Sequence, residues 1–111
     1  MLRETAKALR GCLRSYDSVG RYGGEEFLIV APDCSETEAA HLAERLRKAV
    51  RETADASPGA FPVTVSFGVA DTSAGHRPED VLRAADRALY AAKKAGRNRV
   101  ETCSEMKTAL K

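Results

Sequence analysis

A chain of 111 residues with 43% hydrophobic and 31% charged side chains has the make-up of one soluble globular domain or part of one. A net charge of +2, with no dense basic stripe and few aromatics among the cations, argues against a nucleic-acid-binding surface. No apolar run approaches the ~20 residues of a membrane span, and the charged start Met1-Leu2-Arg3-Glu4 is unlike a secretion signal.

Leu2, Ala6, Leu9 and Leu13 recur at helical spacing, which predicts an amphipathic helix ending near Ser15. Two strand-like runs follow, Val19 to Tyr22 and Phe27 to Ala31, within a hairpin from about Asp17 to Ala31. Pro32-Asp33-Cys34 breaks the pattern. Ser35-Glu36-Thr37-Glu38 then reads as a capping box opening a helix that runs to about Thr53, with Ala39, Ala43, Leu46 and Val50 on its buried stripe. Ala56 to Gly59 is a loop, and the alternation from Val63 to Ala70 predicts a strand. Asp71 to Arg77 is a polar loop, and Pro78 suits the first turn of a further helix. Val81, Leu82, Ala85, Leu89 and Ala92 give that helix its apolar face, and Gly96 ends it. Arg99 to Thr102 predicts a last strand, and Ser104 to Lys111 a tail. Helix, two strands, helix, strand, helix, strand is an α+β order, with helices covering an antiparallel-rich sheet.

The turn of the hairpin carries the most chemistry. Gly23-Gly24-Glu25-Glu26 places two adjacent carboxylates on a glycine bend. At roughly 4 Å and an effective dielectric of about 20, two like charges repel by about 4 kcal/mol. A divalent cation relieves that repulsion, and magnesium favours a few carboxylates together with substrate phosphates. The glycines leave room for a nucleotide against the backbone. A Gly-Gly turn bearing solvated acids is also a common surface hairpin, so these residues alone leave both readings open. Three cysteines, Cys12, Cys34 and Cys103, are odd in number and widely spaced, which favours reduced thiols and a cytoplasmic setting over disulfides or zinc. His41 and His76 are isolated and read as surface residues.

The flanks carry the argument further. Arg14-Ser15-Tyr16-Asp17 precedes Arg21-Tyr22-Gly23-Gly24-Glu25-Glu26-Phe27, and Ala85-Asp86-Arg87-Ala88-Leu89-Tyr90-Ala91-Ala92-Lys93-Lys94-Ala95-Gly96-Arg97-Asn98 comes much later. Together, over about Leu2 to Val100, these resemble the GGDEF domain family, the diguanylate cyclases, in the variant with Glu at the middle acidic position. The resemblance implies a nucleotide-cyclase or palm-like fold with a ferredoxin-like core. It also implies condensation of two GTP to cyclic di-GMP and two pyrophosphates by a homodimer. Glu25 matches the position that binds magnesium (or manganese) and assists deprotonation, with Glu26 supporting the metal and Gly23 and Gly24 meeting the nucleotide. Lys93 and Arg97 match the cations that contact the triphosphate. Cations in a last helical turn also offset the helix dipole, which explains a Lys or Arg there but not Lys-x-x-Gly-Arg-Asn. Arg14 and Asp17, ending five residues before the glycine pair, match an inhibitory product site, and Arg45 matches the arginine that completes it from a neighbouring domain. Asp86 also matches a family position, with a structural role as good an account as a functional one.

The resemblance has one gap. The family begins about one helix and one strand earlier, with a metal-binding Asp and the residues that read guanine. The expectation is therefore a partial GGDEF domain over residues 1–103 that lacks the first strand, with 104–111 as a tail. By itself it would be unstable or would pair its open edge with another copy, and in either case be inactive. The alternative expectations are a catalytically inactive cyclic di-GMP-binding module and a truncated remnant.

Overall fold

The structure, a computed structural model, describes residues 2–23, 26–55 and 64–104. The elements in order are α1 (Leu2–Cys12), β1 (Ser18–Gly23), β2 (Glu26–Val30), α2 (Glu36–Asp55), β3 (Phe67–Val69), a short 3-10 helix (Thr72–Ala74), α3 (Pro78–Lys94) and β4 (Val100–Thr102). This is the α+β order that the sequence predicts. Among the described residues no helix is long and apolar enough to cross a membrane.

β1 and β2 form an antiparallel hairpin with Val19 opposite Ile29, Gly20 opposite Leu28 and Arg21 opposite Phe27. The register slips between Arg21 and Gly23, a bulge at the mouth of the turn. Such an irregularity re-aims the residues beside it. Along β2 the half-buried Phe27 and Ile29 alternate with exposed Glu26, Leu28 and Val30, so one face of the hairpin meets the core. β3 and β4 form a second, parallel pair with Phe67 opposite Val100. Parallel strands need a crossover, and α3 supplies it. Among the described residues the two pairs are not hydrogen-bonded into one sheet.

The core is centred on Leu9 of α1 and on Leu42, Leu46 and Val50 of α2. Their spacing of four puts the α2 side chains on one stripe. Phe27, Ile29, Val65 and Phe67 pack against the same cluster, so hairpin and parallel pair share one apolar centre. Fully burying each such side chain contributes about 1.5–3 kcal/mol. On α3 the buried positions are Ala84, Ala88 and Ala92. Their small side chains let β3 come close.

Four local differences from the predicted elements have physical causes. α1 stops at Cys12 rather than near Ser15, because the Arg14 amide donates to Asp17 Oδ2 (2.9 Å) instead of continuing the helix ladder. β3 is three residues long, since β4 offers only Val100–Thr102 to pair with. The loop after it holds a 3-10 turn, capped by Asp71, which accepts from the Ser73 amide. The buried stripe of α3 runs through Ala84, Ala88 and Ala92, while Val81, Leu82, Ala85 and Leu89 are half-buried at its sides. The capping box at α2 forms as expected: Glu38 N donates to Ser35 Oγ (3.2 Å) and Ser35 N to Glu38 Oε1 (3.3 Å). His41 and His76 are both exposed. The tail beyond Ser104 lies outside the described residues.

Candidate functional site

Two elements far apart in sequence meet at the end of the hairpin. Glu26 opens β2, and Lys93 stands in the last turn of α3. Lys93 Nζ lies 3.9 Å from Glu26 Oε1, with both side chains part-exposed at 37% and 45%. An exposed pair of that kind contributes only ~0–1 kcal/mol, so it is weak as a brace. Its value is positional: a carboxylate of the acidic turn and a cation of the helix end open onto the same solvent. Gly23 closes β1 beside them. Gly24 and Glu25 lie outside the described residues.

Beyond Lys93 the chain makes an unusual stop. α3 ends with Ala95 N donating to Ala91 O (2.9 Å) and Gly96 N to Lys93 O (3.4 Å). Three consecutive residues then take positive φ: Gly96 at 121°, Arg97 at 63° and Asn98 at 49°. Glycine tolerates this freely and Asn moderately, whereas Arg in the left-handed region costs roughly 1–2 kcal/mol. Hydrogen bonds hold the turn in place. Arg97 N donates to Ala92 O (3.0 Å), Asn98 N to Ser66 Oγ (3.1 Å), and Arg47 Nη1 to Asn98 Oδ1 (2.8 Å). Arg97 is thus exposed on a braced turn, four residues after Lys93.

Arg47 reaches the turn from α2 with its guanidinium already fixed. Nε donates to Glu44 Oε2 (3.0 Å) and Nη2 to Glu44 Oε1 (2.5 Å). This fork lowers the Glu44 carboxyl below its usual range, chiefly through the Arg47 hydrogen bonds, and raises Arg47 in return. Sequence reasoning passed over Glu44, Arg47 and Ser66, and took Asn98 only as the last letter of the Lys-x-x-Gly-Arg-Asn run. The only available signal was the Glu44–Arg47 spacing on one helix face.

Arg14 and Asp17 form a second cluster at the opposite end of β1. The guanidinium grips the carboxylate with Nε at 3.0 Å from Oδ2 and Nη2 at 2.9 Å from Oδ1, and Nη2 also donates to Pro32 O (3.3 Å). The Asp17 side chain has no exposed surface, while that of Arg14 keeps 35%. Arg14 also lies over the Tyr16 ring, 4.4 Å from its centroid, a cation–π placement. The Arg14 hydrogen bonds hold the Asp17 carboxyl below the usual range, and Arg14 is raised by the same contacts. Arg45 is exposed on α2 and, among the described residues, is not bonded to Arg14 or Asp17. Asp86 is exposed on α3.

The chemistry of these groups suits a polyanion with a hard cation. Magnesium takes one or two carboxylates and completes its shell with water and phosphate oxygens. A glutamate of the hairpin turn fits that demand, and Lys93 and Arg97 fit the phosphates. Among the described residues no set of three or more metal-ligating side chains converges.

Comparison with known proteins gives the family. The family described as "Diguanylate cyclase, GGDEF domain" matches residues 1–99. Diguanylate cyclase A of Treponema denticola is 39% identical over 102 residues, which are 90% of this chain and 28% of that protein. The GGDEF domain of DgcB from Caulobacter crescentus, solved in complex with c-di-GMP, superposes with a TM-score of 0.83 at 31% identity, over 93% of this chain and 63% of that one. The active GGEEF domain of a diguanylate cyclase from Vibrio cholerae gives a TM-score of 0.80 at 33% identity, over 91% of this chain and 65% of that one. The chain therefore spans about a quarter of the curated relative it matches and somewhat under two thirds of these solved domains.

Proposed function

The chain belongs to the GGDEF family of diguanylate cyclase domains, and from that premise we propose that it serves the condensation of two GTP molecules to cyclic di-GMP. The observation that carries this reading is the meeting of Glu26 and Lys93, 3.9 Å apart, at the mouth of the glycine turn. In the reaction the 3′-hydroxyl of each nucleotide attacks the α-phosphorus of the other. Each attack forms a phosphodiester, releases pyrophosphate and surrenders the hydroxyl proton.

Lys93 and Arg97 bind the triphosphate and neutralise charge that builds on the departing pyrophosphate, a stabilisation worth most where donors are fixed in advance. Glu25, one residue before Glu26 in the sequence and matching the family's acidic position, is the carboxylate assigned to accept the hydroxyl proton, and Gly23 and Gly24 admit the nucleotide to the backbone. Glu25 and Glu26 would hold magnesium or manganese, which when bound neutralises phosphate charge and acidifies the attacking hydroxyl. A two-fold symmetric product calls for two such half-sites facing each other, hence a homodimer. Residues 1–103 supply part of the GGDEF domain and 104–111 a tail. The substrate is a cytoplasmic nucleotide, which places the reaction in that compartment.

Arg14 and Asp17 form the product site, which Arg45 of a neighbouring domain completes. Arginine presents a planar fork to phosphates and guanine acceptors, and Asp accepts from the guanine amide and amine. The exposed third of Arg14 is the part open to such a ligand.

The test is turnover of GTP with magnesium in the full-length protein. Lys93→Ala should raise KM for GTP by about tenfold or more, the loss of one charge-assisted contact. Replacing both Glu25 and Glu26 by Ala should lower kcat by at least ~100-fold. Undiminished turnover in the double variant would refute the reading.

A further inference from the structure

We propose that Arg47 of α2, clamped by Glu44, is a positioning residue that aims the phosphate-binding turn through Asn98. This inference rests on the reading of Lys93 and Arg97 as triphosphate ligands and adds a part that none of the sequence motifs contains.

The geometry has three links. Glu44 grips Arg47 along the Nε and Nη2 edge (3.0 and 2.5 Å), which leaves Nη1 directed at Asn98 Oδ1 (2.8 Å). Asn98 is in turn tied through its amide to Ser66 Oγ, just ahead of β3 (3.1 Å). Its φ of 49° follows Arg97 at 63°, so the peptide joining them is held from both sides against a conformation that non-glycine residues seldom adopt. Among the described residues the Arg97 side chain has no such anchor; its backbone is held by its own amide on Ala92 O (3.0 Å), by Arg99 Nε on its carbonyl (3.3 Å) and by the bonds of the adjoining Asn98. Arg47 is 16% exposed and paired with a carboxylate, so it is poorly placed to bind an anion itself. It acts as a fixed fork, a role in which Lys does not replace Arg.

The experiment compares Arg47→Ala, Arg47→Lys, Arg97→Ala and the double variant Arg47→Ala/Arg97→Ala in the full-length protein. The readouts are amide hydrogen exchange by NMR and affinity for GTP with magnesium. Arg47→Ala should speed exchange of the Asn98 and Arg97 amides by about tenfold or more while the amides of Ala88 and Leu89 in α3 stay protected. It should weaken GTP binding roughly tenfold, and the double variant should bind no more weakly than Arg97→Ala alone, because both act through one group. Arg47→Lys should behave like Arg47→Ala.

Unchanged exchange at Asn98 would overturn the proposal, as would full rescue by Lys or additive losses in the double variant. If Arg97→Ala leaves GTP affinity intact, the phosphate reading of the turn falls by itself, and the exchange arm still decides whether Arg47 holds it.

Discussion

The Arg14–Asp17 pair shows how much one residue can commit to a partner. Asp17 has no exposed side-chain surface and receives the Arg14 backbone amide as well as its guanidinium. A carboxylate so bonded is stabilised in its charged form. Its pKa is lowered on folding, so the folded state gains from ionised Asp17 at every pH above the unfolded value of about 3.9. That gain shrinks as pH falls below the unfolded value and is gone once pH passes the lowered, folded one. Thermal unfolding followed from pH 7 downward should therefore show a steep loss of Tm in acid. Asp17→Asn should be less stable at pH 7 and lose less on acidification. Parallel curves for the two proteins would disprove the coupling. The Arg-x-x-Asp motif was legible in the sequence from its position before the glycine pair. Its internal closure was not, because nothing in four letters says that Arg14 turns back on Asp17 and Pro32.

At the scale of elements, the sequence pattern sufficed to find each α-helix and strand among the described residues, missed the 3-10 turn Thr72–Ala74, and failed where a neighbour sets the boundary. β3 illustrates both. Its alternation was plain, yet only the stretch facing β4 is paired. The left-handed turn after α3 is a sharper case. Gly96 announced a helix stop, but the positive φ of Arg97 and Asn98 is secured by Ser66 and Arg47, which lie 32 and 51 residues away from Asn98. No local window could reveal that.

The packing of β3 on α3 gives a prediction at the same scale. A Cβ on Gly68 would collide with the Ala85 carbonyl oxygen and the Leu89 backbone. Helix backbone cannot rotate aside as a side chain would. Gly68→Ala should therefore destabilise by about 1–3 kcal/mol, toward the upper end. Each kcal/mol lowers Tm by about 4–8 °C in a domain of this size. A Tm within a degree of the parent would mean that β3 does not sit against α3 as described. Gly20, beside which a Cβ would meet nothing within 4 Å, supplies the control: Gly20→Ala should be nearly neutral.

Across the whole molecule the hairpin separates the two sites of the proposed function. Arg14 and Asp17 lie just before Ser18 at one end of β1, and Gly23 enters the acidic turn at the other. Six extended residues cover roughly 20 Å, too far for one bound nucleotide to touch both ends through the same groups. Product held at Arg14 would therefore inhibit by restraining the domain, and leave the catalytic turn chemically intact. The consequence is separable kinetics in the full-length protein. Arg14→Ala alone strands a buried carboxylate, which can destabilise the fold, so the cleaner variant is Arg14→Ala with Asp17→Ala. It should raise the concentration of cyclic di-GMP needed for half-inhibition by about tenfold or more, the equivalent of one lost bidentate contact. Initial rates before product accumulates should stay within about twofold, since the pair stands before the paired stretch of the hairpin, in which Val19 faces Ile29 and Arg21 faces Phe27. An initial rate that collapses alongside inhibition, in a variant whose Tm is preserved, would show that the two ends of the hairpin form one site.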